Sequence, residues 1–408
     1  MKKIILSMIL VVTTTGAFAQ KGNVTKAKNK ALMEVPDFAG ARTDIKPALI
    51  DPTTKDLAST WHVAGTIGYK ESQSVLTTSI DVKGKAIMES YAYFLKAYEL
   101  DGLPDAKGKI KPKFQKDIKA KLKEYFTNNI LVSYGAGLYE KKKYDETINV
   151  FETFLGIPKL AMMNNELKLD SNYFTIKYYT AIAATNASND SATYKNYLEY
   201  QKKAIALYED LRDDGYEELT VHQLLAEEYQ KIKDTVKYVS TLKAGFEKFP
   251  QEGWFLQNLI NYYIFTNKSK EALSYLDNAI SREPGIAQYR YVKGNLDESL
   301  GNLDAAREDF NKALELDPTL ADAPAGSGRL YYNKAVKMSE EANDIKDNKL
   351  YNAAKKKADA VFAESIPYFK KASELKPGEM EYKRTLKTLY YRLKMDKEFE
   401  ALEKEMNQ

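Results

Sequence analysis

Apolar residues recur along this chain at spacings of three and four, which marks one buried stripe on each helix. In the second half the stripes themselves recur. Pro250, Pro284 and Pro318 lie 34 residues apart, and eight residues before each stands a large apolar residue: Leu242, Leu276 and Phe310. Three residues further on come the small residues Gly245, Ala279 and Ala313. Earlier in each unit, Ala226, Ile260 and Gly294 precede by three another fixed place, held by Tyr229, Tyr263 and Asp297. The pattern predicts two antiparallel helices per unit. Their stripes face each other, the small residues let the pair approach closely, and the proline stops the second helix.

These columns resemble the tetratricopeptide repeat, whose 34-residue unit carries W-x2-L-G-x2-Y and then A, F, A and P at fixed places. The segment AQYRYVKGNLDESLGNLDAAREDFNKALELDP matches through Gly294, Ala306, Phe310, Ala313 and Pro318. The unit from Gly253 to Ile286 agrees through Tyr263, Ala272, Ala279 and Pro284. Forward, Gly328 and Tyr331 open a unit whose closing Phe369, Ala372 and Pro377 arrive late; Pro318 to Pro377 is 59 residues, 25 more than the period. The insert SEEANDIKDNKLYNAAKKKADA is charged, lacks glycine and proline, and is rich in helix formers. It is expected to lengthen both helices into a protruding hairpin.

Backwards the pattern decays. Trp61-His62-Val63-Ala64-Gly65 fits the tryptophan and glycine columns, with Phe94 and Ala97 on a second helix after the insert SQSVLTTSIDVKGK. Tyr134 to Tyr139 pairs with YDETINVFETFLGIP, and SNYFTIKYYTAIAAT with YKNYLEYQKKAIALYEDL across the polar NASNDSA. Before them, ARTDIKPALIDP resembles an isolated second helix. The resemblance implies an all-α fold, an α-solenoid of helix pairs forming one continuous right-handed superhelix. Its expected segments are 20–56 with one repeat-like helix, 57–215 with degenerate repeats and insertions, 219–379 with in-phase repeats, the last carrying the long insert, and 380–408 as capping helices.

The first residues, MKKIILSMILVVTTTGAFAQ, have the other recognisable pattern: Lys2 and Lys3, an apolar run from Ile4 to Val12, then Ala17-Phe18-Ala19. These are the three regions of a secretory signal peptide over 1–19, with cleavage leaving Gln20 first. The run is too short for a bilayer, which needs about 20 residues, and no later segment approaches that length. The expected location is the periplasm or the outer membrane of a Gram-negative bacterium, or the medium after release, with no transmembrane segment after cleavage. Cysteine is absent, which excludes disulfides, thiolate metal sites, a cysteine nucleophile and a lipid-modified cysteine anchor. Lys+Arg number 61 against 57 Asp+Glu, a formal charge of +4 that falls to +2 without Lys2 and Lys3. Near-neutrality argues against a nucleic-acid partner.

Candidate chemistry is sparse. The two histidines, His62 and His222, stand far apart and outside any zinc-binding spacing. Gly135-Ala136-Gly137 and Gly326-Ser327-Gly328 continue into no phosphate loop and read as close-packing residues of first helices. The acidic pairs Glu217-Glu218, Glu227-Glu228 and Glu340-Glu341 read as solvated faces, since adjacent helical residues point about 100° apart. Glu308 and Lys312 read as an i,i+4 pair. The basic run AKGKIKPKFQKDIKAKLKEYF reads as a solvated helix after a loop, or as a patch for anionic lipid or polysaccharide. No catalytic residue, metal or cofactor is expected. Asp190-Ser191-Ala192 and Asp234-Thr235-Val236 resemble Asp-Ser/Thr-aliphatic acceptors of bacterial envelope O-glycosylation, which places candidate acceptors at Ser191 and Thr235 in interhelix loops.

The resemblance also implies a ligand surface, since the concave side of such solenoids is lined by first helices. Carried onto this chain, the contact places are Gln223, Glu227 and Gln230; Trp254, Gln257, Asn261 and Phe265; and Gln288, Tyr291, Asn295 and Glu298. Further units add Arg329, Tyr332 and Asn333, then Arg384 and Tyr391. Such a surface suits an extended peptide backbone and its side chains; equally, several of these rings can pack between repeats. The carboxylate-gripping subtype needs lysines where Gln257 and Tyr291 stand, beside Asn261 and Asn295, so that variant is not implied. The expected function is a non-catalytic envelope scaffold or adaptor that binds a protein or peptide. The alternative is a glycan- or nutrient-binding component of an outer-membrane uptake system, and an enzyme is disfavoured.

Overall fold

The structure, a computed structural model, describes residues 20–105 and 107–407, so the expected signal peptide at 1–19 lies outside the described residues. Among these, every regular element is a helix. The chain divides into two compact units, one ending at Tyr238 and one beginning at Val239, where the repeat spacing alone points to a single continuous solenoid.

The first unit holds α1 (20–32), α2 (Phe38–Ala48), α3 (Ala58–Gln73), α4 (Ile80–Asp101) and α5 (Gln115–Thr127). It continues with α6 (Ile130–Glu140), α7 (Tyr144–Gly156), α8 (Ser171–Asn189), α9 (Tyr197–Asp213) and α10 (Glu218–Lys231). Each helix packs chiefly on its sequence neighbours, as in α3 on α4, α6 on α7 and α8 on α9, which is the order of a solenoid. Two features depart from the sequence reading. The segment 20–56 holds two helices rather than one, and Ala27, Ala31, Ala41 and Ile45 from this pair bury against Val63, Ala64 and Ile67 of α3. The basic run is no fully solvated helix: α5 buries Ile118, Leu122 and Tyr125 completely, and Lys121 lies over the rings of Tyr69 and Phe94.

The boundary falls within α11 (Thr235–Lys248). The second unit then holds α12 (Gly253–Phe265), α13 (Ser269–Arg282), α14 (Ala287–Ser299), α15 (Leu303–Leu316), α16 (Asp322–Asn343), α17 (Asn348–Leu375), α18 (Met380–Arg392) and α19 (Asp396–Met406). The aligned prolines follow helix ends as expected, Pro284 after α13, Pro318 after α15 and Pro377 after α17. The insert lengthens α16 to 22 residues and α17 to 28, and the two pack along each other, as predicted. Asp347 caps α17 through the N–H groups of Lys349 and Leu350, each at 2.9 Å.

A shared turn joins five of the pairs. In α6–α7, α10–α11, α12–α13, α14–α15 and α18–α19 the central turn residue is left-handed: Lys142 (φ 57°), Lys233 (φ 59°), Asn267 (φ 55°), Gly301 (φ 80°) and Lys394 (φ 54°). The next N–H reaches back to the helix, from Lys143 to the Leu138 carbonyl at 3.0 Å, Asp234 to Tyr229 at 3.0 Å and Lys268 to Tyr263 at 2.7 Å. Asn302 to Asp297 at 2.8 Å and Met395 to Tyr390 at 2.9 Å complete the set. This is the helix-ending motif that satisfies a last-turn carbonyl. The fixed place of Tyr229, Tyr263 and Asp297 is therefore also the acceptor that closes their turns, and Tyr390 has the same role in α18–α19.

Close packing works as the small-residue columns imply. Phe310 is fully buried, and a Cβ on Gly294 or on Gly326 would come within 2.7 or 2.8 Å of its ring. One ring thus needs a glycine both in its own pair and on the next first helix. Charges depart from expectation at two places. Glu228 is 1% exposed, not solvated: Lys231 Nζ lies 2.8 Å from its Oε1, while its Oε2 has no hydrogen-bond partner. Lys312 pairs with Glu315 at 2.8 Å rather than with Glu308, because i,i+3 also puts two side chains side by side.

Candidate functional site

The residues implied as contacts lie on α10, α12, α14, α16 and α18. Gln223 and Glu227, with Gln230, sit on α10 in the first unit. In the second unit the structure gathers eight of the rest around two cavities that both use α14 as a wall.

The larger cavity, of about 470 Å³, lies between α14, α16 and α18. From α14 comes Tyr291; from α16 come Arg329, Tyr332 and Asn333, with Asp322 and Ala325; from α18 comes Arg384. Phe369 of α17 closes one side. Arg329 is already held: its Nε and Nη2 meet Glu298 Oε2 at 2.9 and 2.6 Å, and Nη2 donates to Asn295 Oδ1 at 2.7 Å. The hydrogen bond to Glu298 is the main influence that raises the Arg329 pKa still further, so this cation is permanent. Asn295 and Glu298, both implied as ligand contacts, are instead committed to positioning Arg329. Arg384 differs, since it is exposed and has no ion pair or hydrogen-bond partner among the described residues.

Asp322 and Ala325 of α16 escaped the sequence reading, and so did four lining residues of α18: Glu381, Tyr382, Thr385 and Thr388. With Arg384 they form one face of α18, spaced three and four apart, a signal the capping segment carried but which a repeat alignment does not weigh. The Tyr382 hydroxyl donates to Asp322, and burial together with that bond raises its phenol pKa, so the ring is a neutral donor already in use.

The smaller cavity, of about 290 Å³, brings together Gln257 and Asn261 of α12 with Gln288 of α14, against Leu256, Ile260 and Val292. Trp254 packs half-buried edge-to-face on Phe255, with ring centroids 5.1 Å apart, and lines neither cavity. Phe265 is 88% exposed and Tyr391 76% exposed at the ends of their helices. Tyr291 and Tyr332 are half-buried, their rings set against Phe310 of α15 and Phe362 of α17 while they line the larger cavity.

The histidines do not meet. His222 is buried on α10 with Nδ1 2.6 Å from the Glu218 carbonyl, and His62 Nε2 lies 2.6 Å from Asp117 on α5. Among the described residues no group of three or more His, Cys, Asp or Glu side chains is placed to hold a metal ion, and no helix is long and apolar enough to cross a membrane. Ser191 is exposed in the loop between α8 and α9; Thr235, expected in a loop, is the exposed first residue of α11.

Residues 287–320 match the family model of the tetratricopeptide repeat, the stretch that forms α14, α15 and the turn after them. Solved structures similar to the chain include MamA, at 18% identity over 48% of this chain and 97% of that one, with a TM-score of 0.32. YrrB, described as a TPR protein with an unusual peptide-binding site, is 18% identical over 51% of this chain and 95% of its own, with a TM-score of 0.32. A TPR repeats protein from Bacteroides fragilis is 20% identical over 64% of this chain and 97% of its own, also at 0.32. No curated protein is a significant match to the sequence. The fold assignment rests on the helix pairing and on the match over 287–320: the chain is all-α and is built from tetratricopeptide-like helix pairs.

Proposed function

We propose that this chain is a non-catalytic scaffold of the bacterial cell envelope that binds an extended protein or peptide segment in the groove between α14, α16 and α18. One observation carries the reading: the groove keeps Arg384 unpaired beside Thr385 and Thr388, while the rings of Tyr291 and Tyr332 flank a fully neutralised Arg329. A free guanidinium, hydroxyls and half-exposed rings suit a backbone with an acidic or polar side chain. The signal-peptide pattern over 1–19 supports export, to the periplasm or the outer membrane of a Gram-negative cell, or to the medium.

Crosslinking in the native envelope followed by mass spectrometry tests this, with an Arg384→Ala/Tyr332→Ala variant run in parallel. We expect the dominant crosslinked partner to fall at least tenfold in the variant. Equal recovery from both proteins would remove the groove from the reading. We also propose Ser191 and Thr235 as O-glycan acceptors, supported by their exposure. Intact masses of Ser191→Ala and Thr235→Ala from the native host should each drop by a glycan; a drop of only the lost side-chain atoms sinks that assignment.

A further inference from the structure

Two cavities of the first unit share His62, Thr66 and Phe114 as a wall. One, of about 400 Å³, lies between α1 and α3; the other, of about 590 Å³, lies between α3 and α5. Both fall in the size range of small-molecule sites, roughly 300–1,000 Å³, and neither uses the groove of the second unit.

The wall is firmly built. The Asp101 carboxylate at the end of α4 accepts from the N–H groups of Lys113, Phe114 and Gln115 at 2.8, 2.6 and 3.1 Å, which fixes the entry into α5. Phe114 is thereby stacked on the His62 imidazole, with centroids 4.4 Å apart and planes 23° from parallel. One turn on, Asp117 meets His62 Nε2 at 2.6 Å and takes Lys121 on its other oxygen. The Tyr69 hydroxyl donates to Glu124 at 2.6 Å. Both carboxylates that line the second cavity therefore have partners inside it.

The cations do not. Lys21 and Lys28 stand seven residues apart on one face of α1, and the first cavity has no acidic residue in its lining. Lys70 adds a third ammonium at the second cavity. None of the three side chains has an ion pair or hydrogen-bond partner among the described residues. Beneath the lysines the floor is apolar: Val24 of α1, Leu57 and Val63 beside and on α3, and the Phe114 ring. Unpaired cations beside apolar side chains suit a ligand with an anionic head and an apolar body, since a bare ion would leave the apolar side chains uncovered and a neutral molecule would leave the cations unmatched.

We propose that the first unit carries a binding site for a small amphipathic organic anion, its head between Lys21 and Lys28 and its body against Val24, Leu57, Val63 and Phe114. The lysines are about 10 Å apart along α1 at 1.5 Å per residue, so a single head group is reached by both only through their long flexible stems. Thr25, between them, already donates its hydroxyl to the Lys21 carbonyl at 3.2 Å, so the head group is left to the two ammonium groups.

The test is calorimetric titration of the full mature chain with octanoate, octanol and inorganic phosphate. Saturable octanoate binding is expected, at least tenfold tighter than either control and weaker at high salt. Lys21→Ala/Lys28→Ala should lose at least tenfold in octanoate affinity with an unchanged melting temperature, and Lys21→Arg/Lys28→Arg should retain it. Arg384→Ala, in the other unit, should bind octanoate like the parent, which separates this site from the peptide groove. The proposal fails if octanoate does not saturate, if octanol binds as tightly, if phosphate alone binds as tightly, or if the double alanine variant binds octanoate unchanged.

Discussion

Phe310 shows what one side chain demands of its neighbours. Its ring lies against Gly294 and Gly326, so a methyl group at either position enters space the ring already fills. Alanine is the better helix former by about 1 kcal/mol, but overpacking a tight contact costs about 1–3 kcal/mol. Gly294→Ala should therefore destabilise the second unit by about 1 kcal/mol, and adding Phe310→Leu should relieve the clash at the cost of a cavity. Urea unfolding of both variants reads this; a Gly294→Ala protein more stable than the parent would show that the ring yields freely. The columns of Phe310, Gly294 and the small residues were readable because a period of 34 exposes them. Asp101, Glu228 and the His62–Asp117 contact were not, since each depends on residues far apart in the chain or on which helix face the core takes.

His62 also carries a pH signature. Burial is the largest influence on it and pushes its pKa down, against the opposing pull of Asp117 and with Lys121 and Lys28 adding to the fall. An unfolded histidine titrates near 6.5, so as pH falls the unfolded chain takes up this proton before the folded one. The resulting stability is fully present above about 6.5 and is lost as pH falls from there through the lowered folded value. Urea midpoints at descending pH should drop through that window, and His62→Gln should flatten the drop. An unchanged slope in the variant would place the effect elsewhere.

At the scale of elements, the five left-handed turns set a clear expectation. A non-glycine residue in that conformation costs about 1–2 kcal/mol, and lysine gains nothing locally in exchange. Lys142→Gly, Lys233→Gly and Lys394→Gly should each stabilise the chain, by about 0.5–1 kcal/mol after the extra unfolded-state entropy of glycine is subtracted. Gly301→Ala should destabilise it by a similar amount. Thermal midpoints of the four single variants decide this. A stabilising Gly301→Ala would mean the turn relaxes out of the left-handed region. The same turn recurs in α6–α7, which sequence alone marks as degenerate, and in α18–α19, which it marks as capping helices: the turn keeps a backbone shape that several residue types fill, so no letter announces it. The long α16–α17 hairpin, by contrast, was legible, because an insert of strong helix formers without glycine or proline has few other ways to fold.

For the molecule as a whole, the groove residues begin at Tyr291 and end at Thr388. In a chain of stacked pairs each element leans mainly on its neighbours, so a fragment that keeps whole pairs keeps their surface. Residues 219–408, which retain α11 and all of α10 but Glu218, should fold and capture the groove's partner with an affinity within about threefold of the full chain, since loss of remote repeats removes no direct contact. Circular dichroism and the crosslinking assay check both halves of that expectation; a folded fragment that loses the partner would place part of the binding surface before residue 219. The fragment lacks Lys21 and Lys28 and should not bind octanoate, which distinguishes the two sites in a single protein.

By itself the sequence determined the helix-pair architecture, the in-phase repeats and the hairpin, and through the resemblance it named Tyr291, Arg329, Tyr332, Asn333 and Arg384 of the groove, because those follow from local periodicity and from a spacing that repeats. Only the tertiary structure decided which implied contacts are open. It spent Asn295 and Glu298 on Arg329, left Arg384 free, added the α18 face, and turned α5 from a solvated helix into part of the core. Pattern specifies which face of a helix is buried, whereas the pairing of charges and the walls of a cavity depend on which distant residues that burial brings within a few ångströms.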